Sequence, residues 1–225
     1  MSVPATDMGC VGIIGTGMMA TGIATAYSKS GIHVMLGSRE EARGRHRACE
    51  ISASLTHQGC GSCSGGSITT VLEQCMVVFL TVPTRVQYAD GTVEDGVVDF
   101  LRRYADSYIR GRGKILIDTT YYGRGNFRRP TPPEPFLSAL HYHSAVLDDE
   151  KTSWATSYKS VSWRSVRDFK RQGLEMAGDD AAKAVLADLI ARTGFKPLDC
   201  GDRVTGGALV EPGGPRRRPH READV

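Results

Sequence analysis

The chain has 225 residues, 40% of them apolar and 24% charged, the balance of a folded globular protein rather than a disordered one. Its formal net charge is +3, and the last fourteen residues, 212–225, hold four arginines against two acids, so the body is nearly neutral and a nucleic-acid-wrapping surface is excluded. No apolar run approaches the ~20 residues that span a bilayer, the start MSVPATDMGC lacks the basic and apolar stretches of a secretory leader, and six cysteines are too few for a disulfide scaffold. A cytoplasmic α/β enzyme or ligand-binding protein, with no nucleic-acid or membrane partner, is the expectation.

In chain order, Val11 to Ile14 form a short apolar strand that ends in a glycine-rich turn. A helix follows from about Met18 to Ser30, and Gly31 stops it. Ile32 to Leu36 is the second strand, and Glu40 to about Cys49 a charged helix. The stretch from His57 to Ser67, rich in Gly, Ser and Cys, reads as loop. Ile68 to Cys75 is a short helix before the strongest strand, Met76 to Val82, which Pro83 closes. Val93 to Arg110 has apolar residues at helical spacing, and Lys114 to Asp118 is the next strand. Continuous apolar strands between amphipathic helices predict a doubly wound parallel sheet of Rossmann type.

After Thr120 the rhythm breaks. Residues 121–136 hold four prolines and read as an extended loop, within an irregular insertion at about 121–156. Leu137 to Asp149 is a short helix, Ser157 to Ser162 a strand, and Leu174 to Ala177 another. A helix over Asp180 to Arg192 and a strand over Phe195 to Asp199 make a small C-terminal extension. One domain over residues 8–205 and a tail over 206–225 are therefore expected.

The segment from Val11 to Ala20 matches G-x-G-x-x-A at the junction of a strand and a helix. Gly15 makes the tight turn, Gly17 lets the backbone approach a pyrophosphate, and Ala20 permits close helix–sheet packing. The helix start then attracts phosphates. A site for NAD would carry Asp or Glu at the end of the second strand. Here Gly37-Ser38-Arg39 stands instead, with Ser38 lying 21 residues past Gly17. A hydroxyl and a guanidinium bind a 2′-phosphate that a carboxylate would repel. Arg43, one helical turn on, adds charge to the same face. The pattern points to NADP(H).

The runs VGIIGTGMMATGIA, GSRE, VVFLTVP, ILIDTT and GDDAAKAVLADLIARTGFKPLDCG, together spanning Cys10 to about Glu211, resemble the NADP oxidoreductases that use the deazaflavin coenzyme F-420. They also resemble the cytosolic reductase part of the STEAP metalloreductases. The resemblance implies a Rossmann domain, usually dimeric, that passes hydride between NADP(H) and a flat ring. By it, Thr16, Met18 and Met19 line the phosphate turn, Ser38, Arg39 and Arg43 hold the 2′-phosphate, and Thr81, Val82 and Pro83 flank the nicotinamide. There are departures. The family has Asn-Pro where Tyr121-Tyr122 follow Thr120, and Lys-Ala-Phe-Asn where this chain has Lys159-Ser160-Val161-Ser162. Both lie where a second substrate would bind.

Two functions follow, and a third is open. Hydride transfer to a deazaflavin or flavin needs stacking and distance control more than a dedicated acid, and no Ser-Tyr-Lys or Lys-Asp set is evident. Reduction of a small imine or carbonyl needs a proton donor, for which His141, His143, Tyr121, Tyr122 and Lys159 are the candidates. A non-catalytic NADP sensor is the third reading. Tyr121, Tyr122, Trp154 and Tyr158 suit either a planar substrate or packing. The spacing of Cys49, His57, Cys60 and Cys63 fits no standard zinc arrangement, so no metal site is assigned. The Cys60-x-x-Cys63 pair reads as a loop rather than a redox pair.

Overall fold

The computed structural model describes residues 9–55, 60–120, 132–168 and 173–211. Alternating strands and helices build it: β1 (Val11–Ile14), α1 (Met18–Lys29), β2 (Val34–Ser38), α2 (Glu41–Ala53), β3 (Cys63–Ser67), α3 (Ile68–Gln74) and β4 (Val77–Leu80). A hairpin of β5 (Arg85–Gln87) and β6 (Val93–Asp95) leads into α4 (Gly96–Tyr104), a π-helical turn (Ala105–Ile109) and β7 (Ile115–Asp118). Then come α5 (Ala139–Leu147), β8 (Ser153–Thr156), α6 (Trp163–Arg167), β9 (Gly173–Gly178), α7 (Asp180–Arg192), β10 (Lys196–Asp199) and α8 (Thr205–Val210).

Eight strands form one sheet in the order β10-β9-β8-β7-β4-β1-β2-β3. All neighbours are parallel except β8 and β9. Successive side chains of a strand face opposite ways, so Ile13 and Phe79 join the core under α1 and α7, while Ile14 and Leu80 join the core under α3 and α4. Both faces are covered, which is why β1 and β4 are apolar throughout. The strand order reverses at β1, flanked by β2 and β4. A crevice opens there at the carboxyl ends of the strands, the usual ligand position in such sheets. The doubly wound Rossmann fold is thus the one expected.

Four segments differ from expectation. Residues 63–67 form an edge strand rather than loop, because Gly65 lets α2 lie directly on it: a Cβ there would stand 2.2 Å from the Gly44 carbonyl. The helix expected from Val93 starts only at Gly96, where the Asp95 carboxylate accepts the Val97 and Val98 N–H groups. The strand expected at 157–162 lies earlier, at Ser153–Thr156, since Tyr158 has φ +64°, which ends an extended run. The tail expected from 206 instead opens in α8, which Asp202 initiates by accepting the Val204 and Thr205 N–H groups. No helix among the described residues is long and apolar enough to cross a membrane.

Candidate functional site

The crevice begins with the turn after β1. Gly15 has φ +125°, a conformation L side chains rarely adopt, and its N–H bonds the Gly37 carbonyl at 2.8 Å. Gly17 is the N-cap of α1 and has no side chain to cap it; a Cβ added there would meet nothing within 4 Å. The first turn of this twelve-residue helix carries no acid. Its amino end therefore presents backbone N–H groups and the positive end of the helix dipole to open space.

That space is a cavity of about 510 Å³. Gly15, Thr16, Gly17, Met18 and Met19 line it from the first turn, and Ser38, Arg39 and Arg43 from the end of β2. Thr81, Val82 and Pro83 line it from the end of β4. All eleven residues expected to hold a nucleotide thus face one cavity, and a Thr81 hydroxyl bond to the Ile14 carbonyl at 2.7 Å joins the β1 and β4 turns. A dinucleotide fits this donor set: backbone N–H groups at the centre, guanidinium groups at one end, and small apolar side chains at the other.

The charge is set at the β2 end. Arg39, Arg43 and Arg103 line the cavity with Glu40 and Asp99. Arg103 is already paired with Asp99 at 2.9 Å. Among the described residues neither Arg39 nor Arg43 has an ion-pair partner, so the β2 end is left net positive beside Ser38. The Ser38 hydroxyl accepts the Glu40 N–H at 3.3 Å, which fixes its position.

Sequence reasoning missed the wall opposite. Phe100, Arg103 and Tyr104 of α4 and Val86 of the hairpin also line the cavity, with the Phe100 and Tyr104 rings 5.2 Å apart. Their i, i+3, i+4 spacing marked one face of a helix, and only the fold shows that this face meets a cavity.

The proton-donor candidates lie elsewhere. None of His141, His143 and Lys159 lines the cavity, and Tyr121 and Tyr122 lie outside the described residues. His141 packs edge-on against Phe136, and its ring accepts the Leu137 N–H. His143 sits on α5, within the helix expected at 137–149, and is fully buried. Its Nδ1 is 3.1 Å from Asp118 Oδ2 and its Nε2 is 3.0 Å from Asp95 Oδ1. Burial opposes the imidazolium, but the two carboxylates outweigh it and raise the pKa to about 9. Lys159 is equally buried, 2.7 Å from Glu211 Oε1 and 3.8 Å from Asp118 Oδ2. Burial disfavours its charge too, and Glu211 and Asp118 hold it up. Burial likewise opposes the Asp118 carboxylate, yet Lys159 and His143 keep it well below the usual range. These five groups form an ionic cluster behind the cavity wall.

Trp154 and Tyr158 are core residues; Tyr158 shares a 2.9 Å hydroxyl bond with Tyr27. Cys63 is buried in β3, chiefly burial raising its thiol to about 12, which opposes a reactive role for the Cys60-x-x-Cys63 pair. His57 lies outside the described residues. Among the described residues, no three His, Cys, Asp or Glu side chains are grouped to hold a metal ion.

Comparison with known proteins adds the following. Residues 10–94 match the family model described as NADP oxidoreductase coenzyme F420-dependent. No curated protein sequence matches the chain. Among solved structures, a hypothetical protein SMa0349 from Sinorhizobium meliloti superposes with a TM-score of 0.72 at 18% identity, covering 93% of each chain. A candidate F420-dependent NADP-reductase from Arthrobacter sp. FB24 gives 0.61 at 18% identity, over 86% of this chain and 85% of that one. The imine reductase BcSIRED of Bacillus cereus BAG3X2 gives 0.56 at 14% identity, over 89% of this chain but 57% of its own. At such identities these structures speak to the fold alone.

Proposed function

We propose, for a chain whose residues 10–94 match the model of the coenzyme F420-dependent NADP oxidoreductases, that the cavity binds NADP(H) and that hydride passes there to or from a deazaflavin or flavin ring. The family match supports the class, an NADP-dependent oxidoreductase. The observation that carries the cofactor choice is Ser38 with Arg39 and Arg43 at the end of β2, facing the cavity without an ion-pair partner among the described residues.

The cofactor supplies a hydride at its nicotinamide carbon. The chain's own residues bind, orient and exclude. Backbone N–H groups of Gly17, Met18 and Met19 hold the pyrophosphate at the amino end of α1. Arg39 and Arg43 neutralise the 2′-phosphate, and the Ser38 hydroxyl adds a short-range contact. Thr81, Val82 and Pro83 form the shelf for the nicotinamide, held to β1 by the Thr81–Ile14 bond. Such a site accelerates the reaction by positioning.

Reduction of a small imine or carbonyl is the weaker reading. His143 and Lys159 are sealed in ion pairs and His141 is turned to Phe136, so none of them can hand a proton into the cavity in this arrangement. The test is a panel: NADPH with coenzyme F-420, riboflavin nucleotides, keto acids and cyclic imines, followed at the NADPH absorbance. Oxidation with the flat rings alone supports the proposal, whereas oxidation with the imines alone rejects it. No turnover despite NADPH binding would favour the sensor reading. Homodimerisation and a cytoplasmic location remain part of the proposal, the first open to light scattering.

A further inference from the structure

We infer that His143 is a positioning residue: through Asp95 it clamps the first turn of α4 against the Thr81–Pro83 turn and so fixes the shelf for the nicotinamide. The inference rests on the reading of the cavity as an NADP(H) site.

The clamp can be followed atom by atom. Asp95 Oδ1 accepts the Val97 N–H at 2.8 Å and the Val98 N–H at 3.1 Å, capping α4, and the same oxygen meets His143 Nε2 at 3.0 Å. The next residue, Gly96, lines the cavity. There is no slack between it and the shelf: a Cβ on Gly96 would stand 1.7 Å from the Pro83 carbonyl oxygen, and its N–H bonds the Thr84 carbonyl at 3.3 Å. On the other side, His143 Nδ1 meets Asp118, the last residue of β7, whose register partner in β4 is Leu80. Thr119 then bonds the Leu80 carbonyl through both its N–H, at 3.2 Å, and its hydroxyl, at 2.9 Å. One buried ring therefore joins α4 to the β4 end from which the shelf projects.

An imidazole donates from both nitrogens only when it is protonated. The groups around it favour that form: Asp95 and Asp118 in contact, with Lys159 and Glu211 beyond Asp118. Tyr142, the neighbour on α5, is itself held protonated by burial and by Asp95 and Glu94. Loss of the proton leaves one nitrogen bare against a carboxylate. The bond between Asp95 and the ring is then weakened, and with it the link from α4 to β7.

The experiment uses the full chain with His143→Leu and Asp95→Asn. Asparagine caps a helix as well as aspartate does, so the second variant removes the carboxylate facing His143 while keeping α4 intact, and it stands in if the first does not fold. Circular dichroism establishes folding, and NADPH affinity is measured by fluorescence between pH 7 and 10. The wild type should lose affinity about tenfold across that range. His143→Leu should bind about tenfold more weakly at pH 7 and show a flat profile, whereas Asp95→Asn, which keeps the acceptor oxygen but loses one of the two carboxylates that favour the imidazolium, should lose affinity at a lower pH than the wild type. Folded variants with wild-type affinity and profile would overturn the clamp and leave the cofactor reading standing. A wild type that binds no NADPH at any pH would overturn both.

Discussion

Gly15 and Thr81, at the ends of adjacent strands, are packed backbone against side chain. A Cβ on Gly15 would stand 2.5 Å from Thr81 Oγ1 and 2.9 Å from the Thr81 carbonyl oxygen. The phosphate turn and the nicotinamide shelf are thus two sides of one contact, and a change on one side must move the other.

Gly15→Ala is expected to strain both turns, since φ is +125° and the clash is with backbone as well as hydroxyl. A loss of about 1–3 kcal/mol follows from such strain, together with a loss of NADPH binding in whatever protein folds. Urea unfolding and fluorescence titration measure the two effects. A variant as stable as wild type that binds NADPH normally would show that the two turns do not constrain each other.

Lys159 carries a buried charge against Glu211 and Asp118. Lys159→Met removes the cation paired with Glu211 and leaves Asp118 with His143, and the loss of this buried pair should cost about 3–5 kcal/mol. Because Glu211 lies just past α8 and also accepts the Ala139 N–H at 3.1 Å, the C-terminal segment should loosen first. Hydrogen exchange of residues 205–210 reports this directly; protection there equal to wild type would contradict it.

How much of this was legible beforehand depends on the residue. The glycine turn and the Ser38, Arg39 and Arg43 set are local signals, Thr16, Met18, Met19 and Thr81 to Pro83 came from the resemblance, and the cavity gathers all eleven. The edge strand at 63–67 was not legible, because its glycines serve contact with α2 rather than a turn. His143 and Lys159 were noticed for their chemistry, but their burial depends on three carboxylates distant in sequence: Asp95, Asp118 and Glu211. Periodicity says nothing of such partners. The α4 wall was read as a helix face, and which neighbour it met was a property of the sheet order.

Protonated His143 should also contribute to stability in a pH-dependent way. Its folded pKa of about 9 lies above the ordinary 6.5, so the contribution is complete below pH 6.5 and is lost as the pH rises through 9. At roughly 1.4 kcal/mol per unit of pKa, this amounts to about 3 kcal/mol. The stability difference between wild type and His143→Leu, measured by urea unfolding at pH 6 and pH 10, should shrink by that order. A difference independent of pH would mean that folding does not raise the pKa of the ring.

The thiols offer a separate check on local environment. Cys75 donates to Cys10 Sγ at 3.6 Å, and this contact, more than burial, moves the Cys10 thiol down and the Cys75 thiol up. Iodoacetamide at pH 8 should therefore label Cys10 well before Cys75 or Cys63, as read by peptide mass spectrometry. Equal labelling of the three would contradict the pairing.

The central claim is that Ser38, Arg39 and Arg43 select a 2′-phosphate, and one titration tests it most directly. NADPH and NADH are added in parallel to the wild type and to Arg39→Ala, with binding followed by fluorescence. A charge-assisted bond contributes about 1.5–3 kcal/mol, so the wild type should prefer NADPH by about ten- to a hundredfold, and Arg39→Ala should lose most of that preference with NADH affinity little changed. Equal affinity of the wild type for the two cofactors would contradict the account.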